Sequence, residues 1–179
     1  MWLADDDGRV SNGLRVFGST VAVRNTRVGD KITLSGTVTE YRKADRPDDL
    51  TLTELSSPGH VVVHSTGHQV NPIVLGHDHV PPTGPLSSLD VGPEGWLSVP
   101  GNASLLTGVN PILQPSLYGL DFWESLEGQL VTIPNPVALD FPSWMGAIWI
   151  RGDWPVQGLN KRGGLTIAYG ALTYAVSCS

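Results

Sequence analysis

The stretch Leu117 to Ile133, LYGLDFWESLEGQLVTI, decides the reading of this chain, because it runs a capped helical turn straight into a buried strand. Asp121 is placed to accept a hydrogen bond from the backbone N–H of Glu124, and Glu124 to reach back to Asp121, the reciprocal pairing that opens many helices. Gly128 then stops the helix. Behind it, Leu130, Val131 and Ile133 have the branched, apolar character of a strand, and Pro134-Asn135-Pro136 ends that strand because neither proline can donate to a ladder.

Working outward, the clearest alternation is Val28 to Tyr41, with Ile32, Leu34, Gly36, Val38 and Glu40 on one face and Lys31, Thr33, Ser35, Thr37, Thr39 and Tyr41 on the other. Gly36 interrupts the apolar face where the first long strand of a small barrel must bend. Leu14 to Phe17 reads as a short strand after the Asn12-Gly13 turn. The charged hairpin loop Arg42 to Asp49 leads into a strand at Leu50 to Leu55, and His60 to Ser65 is a further one. Val137 to Leu139, Ala147 to Arg151 and Gly163 to Ile167 complete the set. Between Gly67 and Ser116, prolines 72, 81, 82, 85, 93, 100, 111 and 115 predict a long irregular segment, of the kind that is functional or family-specific.

Composition agrees with a β protein. The chain has 179 residues, which suits one domain; Gly 21 and Pro 14 are high for that length and charged residues are only 16%, so it is turn-rich and weakly charged. Its net charge of -6 bears on function, since a domain held to nucleic acid mainly through phosphates carries a basic surface. Any such binding needs a local patch or stacking. The single cysteine, Cys178, rules out an internal disulfide and a cysteine-based zinc cluster, and its place near the end predicts a frayed free thiol. No basic, apolar leader opens the sequence, and no apolar run approaches the roughly 20 residues that span a bilayer, so the chain reads as soluble with no membrane partner.

Four segments in order carry a resemblance: VGDKITLSGTVTEY at Val28 to Tyr41, LTLTEL at Leu50 to Leu55, the Leu117 to Ile133 stretch, and WIRGDWPVQGLNKRGGLTI at Trp149 to Ile167. Together, over roughly Trp2 to Ile167, they resemble the oligonucleotide-binding (OB) type β-barrel region that precedes the catalytic domain in secreted fungal and bacterial nucleases of the endonuclease/exonuclease/phosphatase family. Fungal members are similar in the proline-rich segment too. The resemblance implies an all-β fold: an OB-like, partly open Greek-key barrel of about five to six strands with a long Pro-rich loop and one short helix. It implies an OB-like domain over residues 1–167 lacking its first strand, and a tail over 168–179 with no counterpart, which a gene fragment, an alternative gene model or a frame change would each explain. It further implies an extracellular protein in which this chain is noncatalytic, followed by a catalytic domain that uses a divalent metal, Mg or Ca.

Several candidate sites fall short of chemistry. His77-Asp78-His79 offers imidazoles and a carboxylate, but at the start of a proline-rich loop with no metal-binding Glu motif upstream. His60, His64 and His68 recur every four residues, yet on the strand that Val61-Val62-Val63 favours, such residues stand roughly 13 Å apart. Gly152-Asp153-Trp154 shares two residues with a catalytic segment of the same superfamily, but Pro155 stands where its asparagine would be, so Asp153 reads as a turn residue. No catalytic residue and no metal ligand is assigned.

Binding residues are better supported. Trp149 and Trp154 can stack on nucleobases or equally on sugar rings. Trp149 and Arg151 share a face of their strand. Arg151, Lys161 and Arg162 form one basic grouping and Arg42, Lys43 and Arg46 another; in an OB-type barrel the two can converge, or they are simply scattered solubilising charges. Asn102-Ala103-Ser104 is a glycosylation sequon if the chain is secreted. The expected function is a noncatalytic module for binding or positioning DNA or RNA, weakly and as single strands. The alternatives are a carbohydrate- or cell-wall-binding module, favoured by the tryptophans and low positive charge, and a structural spacer for the catalytic domain.

Overall fold

The computed structural model describes residues 1–4, 11, 13–18, 23–46, 51–84, 112–156, 158–166 and 176–178, the last three by their backbone. The protein is mostly strand, with a short helix α1 at Gly119–Ser125. It divides into two compact units, the first built from Met1–Pro72 and Leu126–Leu130, the second from the other described residues.

The first unit is a four-stranded sheet in the order β1 (Trp2–Leu3), β2 (Leu14–Val16), β4 (Leu52–Ser65), β3 (Lys31–Tyr41). β2 runs parallel to β4 and the other pairs are antiparallel. The two strands expected at Leu50 to Leu55 and His60 to Ser65 are one strand, β4. What reads as a break, Ser56-Ser57-Pro58-Gly59, is a pair of bulges: the register jumps between Thr33↔Val62, Ser35↔Gly59 and Thr37↔Ser56, with left-handed backbone at Ser57 and His60. A bulge is where a strand tolerates proline, since the ladder does not need its missing N–H. These shifts also change which residues of β3 are covered. Ile32 and Leu34 are half-buried as expected, but Val38 is exposed and Thr39 is half-buried.

Val16 and Leu55, paired across β2 and β4, are buried, with Leu126 a third buried apolar residue of the unit. Gly36 serves packing as well as bending: a Cβ there would lie 2.6 Å from Leu55 Cγ. On the other face of β4, buried Glu54 meets Arg15 at 3.5 Å.

In the second unit, β5 (Ile73–Val74) pairs in parallel with β6 (Val131–Thr132), so the segment after Gly67 is not wholly irregular; Ile73 and Leu75 are core residues. A three-stranded antiparallel sheet orders β7 (Val137–Ala138), β8 (Ile148–Arg151) and β9 (Val176–Cys178). Cys178 therefore does not belong to a frayed end, because its backbone pairs with Ile148. The strand expected at Gly163 to Ile167 reduces, among the described residues, to a Leu159↔Leu165 bridge. None of the described sheets closes into a barrel.

Helix α1 starts differently from its expected cap. The first helical N–H bond runs from Phe122 to the carbonyl of Tyr118, which makes Tyr118 the cap position and puts Asp121 inside the first turn. Buried Asp121 accepts the backbone N–H of Gln114 at 2.8 Å through Oδ2, tying the Gln114–Tyr118 turn to the helix. Gly128 does end the segment, with φ at +70°. Asp121→Ala should cost about 1.5–3 kcal/mol, the worth of a buried charge-assisted hydrogen bond, and Asp121→Asn distinctly less because an acceptor remains. Urea denaturation of both variants checks this; equal losses would assign the effect to packing.

Candidate functional site

β8 is the middle strand of its sheet, and its alternation sets Trp149 and Arg151 on one face, with Ser177 of β9 opposite Trp149 and Val137 of β7 opposite Arg151. The Trp149 side is open, the residue being 48% exposed. Arg151 is half-buried, and its Nε donates to the carbonyl of Gly163 at 2.9 Å. That bond joins β8 to the turn carrying Lys161 and Arg162.

The turn is built by its own sequence. Asn160 N donates to Gly164 O at 2.8 Å and Gly163 N to Asn160 O at 3.0 Å, while Asn160 Oδ1 accepts from Arg162 N at 2.8 Å and Gly164 N at 3.0 Å. An asparagine side chain that gathers nearby N–H groups fixes such a turn, and Gly163, at φ +80°, supplies the left-handed residue. Lys161 and Arg162 are exposed on it. The late basic grouping is thus one place: Trp149, then Arg151, then a rigid turn with two solvated cations. Arg151 itself spends Nε on the fold, so it acts first as the tie that holds the turn.

Trp154 is not part of that surface. It is 6% exposed, its ring lies over Gly152, where a Cβ would meet Cζ3 at 1.9 Å, and it packs edge-on to Trp123 with centroids 6.2 Å apart. Phe122 meets Trp123 in a T-shaped contact at 5.0 Å. A ring covered in this way cannot stack on a base, which corrects its expected role. Exposed Asp153 lies in a bend, with its carbonyl 2.9 Å from where a Cβ on Gly76 would stand.

Arg42 is half-buried beyond β3, and Lys43 and Arg46 are exposed on a turn closed by Arg46 N donating to Lys43 O at 3.1 Å. They belong to the first unit and Trp149 to the second. The sequon at Asn102 lies outside the described residues.

Three of the histidines, His64, His68 and His77, pair with nearby side chains. His64 Nε2 pairs with Thr33 Oγ1 at 2.7 Å and His68 Nε2 with Ser65 Oγ at 2.6 Å. His77 Nδ1 lies 2.8 Å from Asp78 Oδ1, and Asp78 Oδ2 accepts the N–H of Val74 at 2.8 Å. That N–H bond, followed by the His77 contact, holds the Asp78 carboxyl below the usual carboxylate range against a smaller opposing effect of burial. Asp78 therefore closes the Val74–His79 turn. Among the described residues, no three His, Cys, Asp or Glu side chains gather as a metal ion would require.

Sequence reasoning passed over Phe141, Trp144 and Met145, between β7 and β8, which are 89%, 92% and 69% exposed. The signal was present: Phe141 to Ile150, FPSWMGAIWI, contains no charged residue.

Comparison with curated proteins and comparison with solved structures each return no match. A family match covers residues 74–175, more than half of the chain and including β8 and the Asn160–Gly164 turn. The chain belongs to the family described as Domain of unknown function (DUF8508).

Proposed function

We propose that this chain is a noncatalytic module that holds single-stranded DNA or RNA for a downstream metal-dependent nuclease domain in an extracellular protein, with the OB-like region of such nucleases as its counterpart. The carrying observation is the Arg151–Gly163 bond, which fixes the Lys161–Arg162 turn at the end of the strand bearing exposed Trp149. An open indole stacks on any base, and two cations beside it meet the adjoining phosphates without requiring a basic protein overall. By this reading the divalent ion, Mg or Ca, belongs to the downstream domain, and no residue of this chain is catalytic.

Fluorescence anisotropy with a labelled single-stranded oligonucleotide tests the proposal. Weak binding at low salt is expected. Trp149→Ala should weaken it by about 1–3 kcal/mol, the worth of one stacked base. The double change Lys161→Ala with Arg162→Ala should weaken it further and flatten the slope of log affinity against log salt by roughly 0.7 for each phosphate no longer neutralised. Absence of binding at low salt would sink the reading. Salt-independent retention on a polysaccharide, abolished by Trp149→Ala, would instead support the carbohydrate-binding alternative, which the exposed tryptophans Trp144 and Trp149 also suit.

A further inference from the structure

The β7–β8 hairpin ends in a tip that does not resemble an ordinary solvated loop. Phe141, Trp144 and Met145 stand almost free of the protein, at 89%, 92% and 69% exposure. A monomeric protein exposes single apolar side chains routinely, but three large ones within five residues form a patch that calls for a partner.

The tip is also held in shape. Ser143 N donates to Ala147 O at 2.7 Å, Gly146 N to Ser143 O at 2.8 Å, Ala147 N to Ser143 Oγ at 3.1 Å and Phe141 N to Asp140 Oδ1 at 2.7 Å. Gly146, at φ +81° with open space around it, closes the turn. These N–H groups therefore have partners that travel with the tip. An element that enters a medium poor in water needs its backbone satisfied in this way.

Charge decides the partner. From Phe141 to Ile150 there is no Asp, Glu, Lys or Arg, and Asp140 alone borders the tip on the β7 side. A nucleic acid would be selected by cations, which the tip lacks, and a protein partner by a rim of several polar or charged groups, where the tip has only Asp140 and Ser143. Tryptophan, phenylalanine and methionine on a projecting, uncharged turn match the boundary between lipid headgroups and acyl chains, which receives a convex apolar tip without a preformed pocket. No helix among the described residues is long and apolar enough to cross a membrane, and this mode does not need one. The sequence-based expectation of no membrane partner concerned spanning segments; the tip would lie in the interface.

We propose that Phe141, Trp144 and Met145 anchor the protein in the headgroup boundary of an electrically neutral lipid bilayer. The tip itself carries no cation, so attraction to anionic lipid is not part of this anchoring.

Flotation of the full chain with phosphatidylcholine vesicles is the test. The protein should co-float, at low and high salt alike. Phe141→Ser combined with Trp144→Ser should reduce the apparent partition constant on the order of a hundredfold, about tenfold for each aromatic removed, with an unchanged circular dichroism spectrum and melting temperature. Failure of the unaltered chain to float overturns the proposal. So does flotation that requires phosphatidylserine and disappears with salt, which would trace to the Lys161–Arg162 turn. A double variant that floats as well as the parent, or that melts at lower temperature, also overturns it, the latter because the tip would then be packing within the protein. Concentration-dependent self-association without flotation, abolished in the variant, would assign the tip to a protein interface instead.

Discussion

Gly13→Ala is expected to destabilise the first unit by at least about 3 kcal/mol, although glycine to alanine adds one methyl group. A Cβ at Gly13 would stand 1.9 Å from the carbonyl oxygen of Glu127 and 2.5 Å from the carbonyl carbon of Gly128. Both are main chain, so no side-chain rotation relieves the overlap. The approach is mutual, since a Cβ at Gly128 would lie 2.8 Å from the backbone of Gly13, and Gly128 also has φ at +70°. Two segments far apart in sequence thus cross at a place with no room for a side chain, directly before β2, whose Val16 and Leu55 pairing is the centre of the sheet. Urea denaturation read by circular dichroism should show the midpoint falling sharply for Gly13→Ala. Gly67→Ala is the comparison, because Gly67 has nothing within 4 Å and only its positive φ of +78° penalises a side chain there, a penalty that Gly13 does not carry. Equal losses at the two positions would show that the crossing is not tight.

This crossing marks where sequence reasoning stops. Gly13 was legible as a turn glycine after Asn12, and Gly128 as a helix stop, because both inferences use neighbours along the chain. That the two glycines meet is a fact of tertiary structure, and no local pattern encodes it. Asp121 follows the same logic: its spacing from Glu124 suggested a cap, but the fold brings the N–H of Gln114 to its carboxylate. β4 shows the converse limit. Ser57-Pro58-Gly59 has the chemistry of a turn, and it forms bulges because β3 continues alongside and supplies partners on both sides of the interruption. At the candidate site, alternation along β8 sufficed to pair Trp149 with Arg151, whereas the link from Arg151 to Gly163 depends on how a later turn folds back.

The tryptophans of the GDW segment and of β8 give the last contrast, because sequence could not separate them. Trp154→Ala should cost about 3–5 kcal/mol, the range for a buried aromatic whose removal leaves a cavity. Its ring fills the space above Gly152 and reaches the edge of Trp123, with Gly76 at φ +86° on the same wall, so the emptied volume is bounded by backbone that cannot easily collapse. Gly152→Ala should be damaging for the complementary reason, since the new methyl group would overlap the indole. Trp149→Ala, at a half-exposed position, should cost about 1 kcal/mol or less in stability. Thermal and urea denaturation of the three variants, followed by oligonucleotide binding for those that remain folded, separates the roles. Trp149→Ala that stays folded and loses binding would support the stacking platform. If it unfolds the protein as Trp154→Ala does, then both tryptophans belong to the core, and the exposed face of β8 loses its claim to be a binding surface.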